Sequence, residues 1–241
     1  MKLPKKISPC PILEAVIELR FKSKVPSVAI FGILYNKLKD RYKSYEELPI
    51  LELPRSVLET DSKLRFQPHY RFLNGDFIIQ LGPQMISISV RENYPGWTAF
   101  LSEINCIVSL LDELNIIERV NRLGIRYIDF FAEIDIFNNI NLELTLNKEP
   151  LKSISKYVRT EFIKDDFKIL LQITDNSEIK SKESNVTKGS LIDYDLSIES
   201  NIVDFFKVYN DMLNKAHQTL KEHFFSVLIK QDFLKTLNPE Y

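Results

Sequence analysis

Across residues 12–22 the apolar Ala15, Ile17, Leu19 and Phe21 alternate with Glu14, Val16, Glu18 and Arg20. A period of two with one consistently apolar side predicts a half-buried strand. Pro26 then opens a helix in which Val28, Phe31, Leu34, Tyr35 and Leu38 recur at three-and-four spacing, ending near Tyr42. Residues 43–63 carry Pro49 and Pro54 among Leu48, Ile50, Leu51 and Leu53, which predicts a long connection lying on the body and makes it a candidate functional loop.

Residues 64–72, 76–81 and 85–91 read as three short strands of an antiparallel meander, with turns at Asn74-Gly75 and Gly82-Pro83. An amphipathic helix follows from about 98 to 114, with Phe100, Leu101, Ile104, Val108, Leu111 and Leu114 in one stripe and Asn115 as its stop. The β-branched and aromatic run at 120–136 predicts a central strand, closed by Asn138-Asn139. Three more strands are expected at 157–162, 167–174 and 189–198. Lys164-Asp165-Asp166 turns between the first two, and the polar tract 175–188 is expected to be a flexible loop. Asn201 is placed to cap a long helix reaching about residue 229, followed by a short tail.

This order lacks the alternating units that demand a parallel doubly wound sheet, so the expected class is α+β. The architecture is a largely antiparallel sheet with helices mainly on one face, in a single body over 1–241. A meander followed by a helix occurs at 64–114 and again at 157–229, which suggests two related halves, 1–119 and 120–241. Helices on one face leave the other for polar residues or a partner.

Composition narrows the function classes. With 241 residues, 44% of them hydrophobic, the chain can bury a core. Lys plus Arg number 32 against 33 Asp plus Glu, for a net charge of −1, so nothing general draws it to nucleic-acid phosphates or anionic membrane. No stretch approaches the roughly 20 apolar residues of a membrane span and the N-terminus has no apolar signal core, so a cytoplasmic protein with no membrane partner is expected. Cys10 and Cys106 lack the spacing of a zinc site or a disulfide framework, and are expected as buried thiols in a reducing compartment. Dinucleotide, P-loop, zinc-protease and calcium-loop motifs do not occur, so no cofactor is expected and catalysis loses support.

The candidate chemistry comes from strand parity. Glu14, Glu18 and Arg20 share one side of the first strand, Arg122 and Arg126 one side of the central strand, and Asp193 and Asp195 one side of a later strand. If these strands are neighbours, acids and arginines gather on one face, either as a structural ion-pair network or as a site for a polar or anionic ligand. Asp193 and Asp195 would bind a hard cation only with a third acid, such as Glu18 or Asp129. His217 and His223 are six residues apart on a helix and do not form a zinc pair.

The stretch from Pro11 to Phe21, with Glu14, Ala15, Glu18 and Arg20, resembles the opening signature of a sporadically distributed family of bacterial and archaeal proteins of about this length. The strand from Arg122 to Asp129, including Tyr127, is similar to that family's second signature. The helix around 213–224, with His217, is similar to its third. The resemblance implies no reaction, and it implies mobile-element or defence neighbourhoods.

The expectation is therefore a non-catalytic binding protein that uses Glu14, Glu18, Arg20, Arg122, Arg126, Tyr127, Asp193, Asp195 and His217 to hold a protein partner or a second copy of itself. The alternatives are a metal-dependent hydrolase or nuclease built on Asp193 and Asp195, and a small-anion sensor built on Arg122 and Arg126.

Overall fold

A computed structural model describes residues 2–61, 64–150, 155–180 and 186–241. Its strands are β1 (Ile12–Ser23), β2 (Ser44–Glu47), β3 (Tyr70–Asn74), β4 (Phe77–Gly82), β5 (Met85–Arg91), β6 (Ile117–Ala132), β7 (Thr145–Leu146), β8 (Glu149–Pro150), β9 (Tyr157–Lys164), β10 (Phe167–Lys180) and β11 (Val186–Ile202). The helices are α1 (Ser27–Leu38), α2 (Arg55–Thr60), α3 (Trp97–Leu114), α4 (Phe205–Glu222) and α5 (Gln231–Thr236), with a π-helical turn at His223–Leu228 prolonging α4. The protein is α+β. Nine strands form one large antiparallel sheet in the order β2-β3-β4-β5-β1-β6-β11-β10-β9, and β7 and β8 form a separate small hairpin.

The chain divides into two compact units. One comprises Glu14–Ile125 and Ser197–Met212. Within it β1, α1, β4, β5, α3 and the first part of β6 follow one another, and the sheet order is β4-β5-β1-β6. That interleaving of two strand-helix-strand passes is the split arrangement of ferredoxin-like sheets. The segment between α1 and β4 supplies β2 and β3, which extend the sheet beyond β4. Both helices cover the same sheet face. Phe31 of α1 stacks on Tyr70 and Phe72 of β3, Phe100 of α3 meets Phe77 of β4, and Phe72 is paired in register with Ile79. Ala15, Ile17, Leu19 and Phe21 of β1 are fully buried on that face, as their alternation predicts.

The other unit comprises Met1–Leu13, Arg126–Leu196 and Leu213–Tyr241. It holds the later part of β6 beside β11, β10 and β9. Here α4 and its π-helical turn cover the face that carries Tyr127, Tyr194 and Phe162, through contacts from His217 and His223.

The strand expected at 64–72 begins only at Tyr70, after a turn at 64–66. Four further expectations need correction. The tract 175–188 is not a loop, because β10 runs to Lys180 and β11 begins at Val186, with Lys188 paired to Glu178 across the hairpin. Ladder hydrogen bonds and exposed ion pairs hold a polar hairpin that offers no apolar alternation to read. Residues 181–185, the remainder of that tract, lie outside the described residues. Asn201 does not cap a helix, since β11 continues through it and α4 begins at Phe205 after the left-handed Asp204. The connection 43–63 contains β2, whose Ser44–Glu47 are exposed throughout and so show no buried side. Both cysteines are exposed rather than buried.

The expected turns do form. Asp165 and Asp166 both have positive φ, the geometry of a tight two-residue hairpin between β9 and β10, and Asn115 ends α3 in the left-handed region.

Candidate functional site

On β1, alternation turns Glu14, Glu18 and Arg20 away from the buried residues, so their charges lie on the face opposite α1 and α3. In the unit containing Glu14–Ile125 they form two clusters. Glu14 stands across the β1/β5 ladder from Arg91 and pairs with it at 3.2 Å. Glu18 accepts from Arg20 Nε at 2.7 Å and from Arg122 Nη1 at 2.7 Å, and Arg122 also approaches Glu199 at 3.6 Å.

Arg122 is nearly buried because Gly124 makes room for it. A side chain built at Gly124 would meet the guanidinium, with Cζ at 2.9 Å and Nη2 at 3.0 Å from its Cβ. The glycine thus leaves a slot on the strand that the Arg122 head occupies. Arg20 is additionally held with its guanidinium 4.8 Å from the centre of the Phe66 ring, a cation–π contact.

In the other unit Arg126 donates from Nε to Asp193 Oδ1 at 2.8 Å and from Nη2 to Oδ2 at 2.7 Å. Gln172 of β10 donates to the same Asp193 Oδ2 at 3.0 Å, and the Tyr157 hydroxyl of β9 donates to Gln172 Oε1 at 2.6 Å. One hydrogen-bonded chain therefore crosses four neighbouring strands. Asp195 lies two residues along β11 on the face of Asp193. Further out, Glu161 accepts from Arg159 at 2.8 Å and pairs with Lys168 at 3.2 Å.

Tyr127 and His217 sit elsewhere. Tyr127 alternates with Arg126 and faces the helix-covered side, where its hydroxyl lies 2.9 Å from His217 Nδ1. A second pair repeats the arrangement, with the Tyr194 hydroxyl 2.6 Å from His223 Nδ1 and the His223 ring tilted on Phe162. Burial drives His217 down to about 4, with Lys221 adding to the shift, so it is a neutral partner for the phenol. Burial raises Tyr194 far above the usual phenol range, and the neighbouring Asp129 carboxylate adds to this.

Asp129 shares the covered side of β6 and is 4% exposed. Desolvation first, and the Asp193 charge second, push it up to about 7.

Parity could have found Gln172 and Tyr157, had β9 and β10 been known as neighbours of β11. Glu199 was hidden because the strand was expected to end before it. Glu103 gave no signal, being a buried acid on the apolar side of α3. It accepts from the Tyr42 hydroxyl at 2.5 Å and from Arg41, whose Nη1 also donates to Cys106 Sγ at 2.7 Å.

Chemically, the strand faces offer arginines already neutralised by carboxylates. Asp193 spends both oxygens on Arg126 and Gln172, and Glu18 is engaged by two arginines. Among the described residues, no group of three or more His, Cys, Asp and Glu side chains is placed to hold a metal ion. Among them, too, no helix is long and apolar enough to cross a membrane.

No protein-family model matches the chain, and no curated protein matches it at a significant level.

Proposed function

We propose that this chain is a non-catalytic binding protein of the cytoplasm, and that the ion-paired strand faces recognise a protein partner. One such face is centred on Glu18, Arg20 and Arg122, the other on Arg126 and Asp193. The observation that supports this reading is the pairing itself. Acids and arginines of both signs are fixed in bidentate or shared hydrogen bonds, yet the Arg126 side chain remains 44% exposed. Such a surface is pre-organised, since the side-chain entropy of ordering it is already spent in the unbound protein. It is also close to neutral, which suits a polar protein surface better than a phosphate backbone, where a field of one sign is required.

The metal-hydrolase alternative draws no support from the geometry, because the Asp193 carboxylate would have to abandon a forked guanidinium to receive a cation. The family resemblance adds a mobile-element or defence setting as part of the proposal.

The test compares native mass spectra of the wild-type protein and Arg126→Ala, each purified gently from the source organism. A co-purifying protein of defined mass that is lost from Arg126→Ala supports the reading. Retention of the same partner by the variant, or a bound metal ion or nucleotide in place of a protein, overturns it.

A further inference from the structure

Among the described residues, β9 is the last strand in the sheet order and is paired on one side, by β10. The Lys156 carbonyl turns towards β10 and accepts from the Asp175 N–H at 3.2 Å. Backbone direction alternates along a strand, so the N–H and C=O groups of Tyr157, Arg159, Glu161 and Ile163 turn to the open side. The edge is eight residues long and well exposed, with Ile163 at 81% and Tyr157 at 61%. Such an edge is a template for another strand.

We infer that this edge pairs antiparallel with β9 of a second copy of this chain, about a two-fold axis through Thr160. The sequence of the strand selects both occupant and register. A two-fold axis normal to the sheet sets each residue opposite one on the same face, so the pairing can be centred on Arg159, Thr160 or Glu161. Centred on Arg159 it opposes two arginines, and centred on Glu161 it opposes two glutamates, each unfavourable directly across a ladder.

Centred on Thr160, Arg159 meets Glu161 of the other copy twice. Val158 then meets Phe162, and exposed Tyr157 meets exposed Ile163. The one like-charge position is Lys164 opposite Lys156 at the fringe, where Lys156 already lies 3.8 Å from Asp175. Edges guarded against pairing carry charged side chains, lysine above all, or a proline. This edge alternates its signs so that the strand complements itself. The inference concerns an edge rather than a face and stands apart from the reading of the ion-paired faces.

The test is sedimentation of the full chain over a range of concentrations. Wild-type protein is expected to dimerise, and Arg159→Glu to weaken the dimer about tenfold or more, because two attractive pairs become two repulsive ones. The double variant Arg159→Glu/Glu161→Arg restores opposite charges in this register alone and should recover the dimer. Glu161→Pro removes an N–H that points to the open side and, with the carboxylate, the exposed pairs to Arg159 and Lys168, while leaving the ladder to β10 intact, so it should give a folded monomer, with folding checked by circular dichroism. Arg126→Ala should leave the dimer unchanged, which separates this inference from the proposed partner face. A wild-type monomer at the highest soluble concentration, or a dimer indifferent to Arg159→Glu, overturns it.

Discussion

Arg126 grips Asp193 with two parallel hydrogen bonds, Nε to Oδ1 at 2.8 Å and Nη2 to Oδ2 at 2.7 Å, across the β6/β11 pair. Fork-to-fork geometry of this kind needs a planar donor with two N–H groups at fixed spacing, which lysine lacks. The Asp193 side chain is 14% exposed, so the pair lies between the surface and the interior.

Arg126→Ala should lower stability by about 1–2 kcal/mol, well short of a buried pair because water screens the guanidinium. Arg126→Lys should recover less than half of the loss. Urea denaturation of the three proteins at neutral pH reads this out. A loss below about 0.3 kcal/mol would mean that the fork adds little beyond its own desolvation cost.

Asp129 makes stability fall as pH rises. Its folded value of about 7 lies above the ordinary carboxyl value of about 3.9 that the unfolded chain restores. Between those values the folded state holds a proton that the unfolded state has released, so each step up in pH favours unfolding. Asp129→Asn should therefore be more stable than wild type above pH 7, by roughly 2–4 kcal/mol. The difference should shrink to nothing below about pH 4. Thermal melts across pH 4–8 test the convergence, and parallel curves would refute a protonated Asp129.

His217 acts in the opposite sense. Its folded value of about 4 lies below the ordinary 6.5, so the unfolded chain takes up the proton first and stability drops as pH falls from 6.5 towards 4. His217→Asn keeps a hydrogen-bonding group near Tyr127 and removes the titration. Measured in an Asp129→Asn background, so that the two slopes do not cancel, the substitution should flatten the acid limb. An unchanged limb would show that His217 is protonated in the folded protein.

The Tyr42 hydroxyl and Arg41 both donate to the buried carboxylate of Glu103. Tyr42→Phe should cost about 1–2 kcal/mol, since the carboxylate keeps its arginine but loses a donor in a desolvated place. Glu103→Gln should cost comparably, because an amide replaces the charged acceptor of both bonds. Guanidinium melts of the two single variants and the double variant give the coupling, which should be positive because both act on one network. Fully additive losses would mean that the hydroxyl and the carboxylate act separately.

Local pattern carried a good part of the structure. The two-residue period of β1 predicted its buried side, and the same period placed Glu14, Glu18 and Arg20 on the other, because side-chain direction along a strand depends only on the chain's own pleat. The stripe of α3 and its stop at Asn115 were likewise legible, since helical periodicity and the left-handed end are local properties.

What parity could not supply was adjacency. That Glu18 meets Arg122, that Arg126 meets Asp193, and that Gln172 and Tyr157 extend this contact were decided by the order of strands far apart in the chain. Strand order is set by which apolar faces pack together and which backbone edges pair, a non-local balance that leaves no mark on the spacing of any one segment. The polar arms of β10 and β11 show the same limit. Residues 175–180 and 186–188 have the composition of a loop, and only the ladder between them makes them strands. Asp129 completes the contrast: the sequence determined its place on β6, but burial beneath the tertiary structure decided its charge.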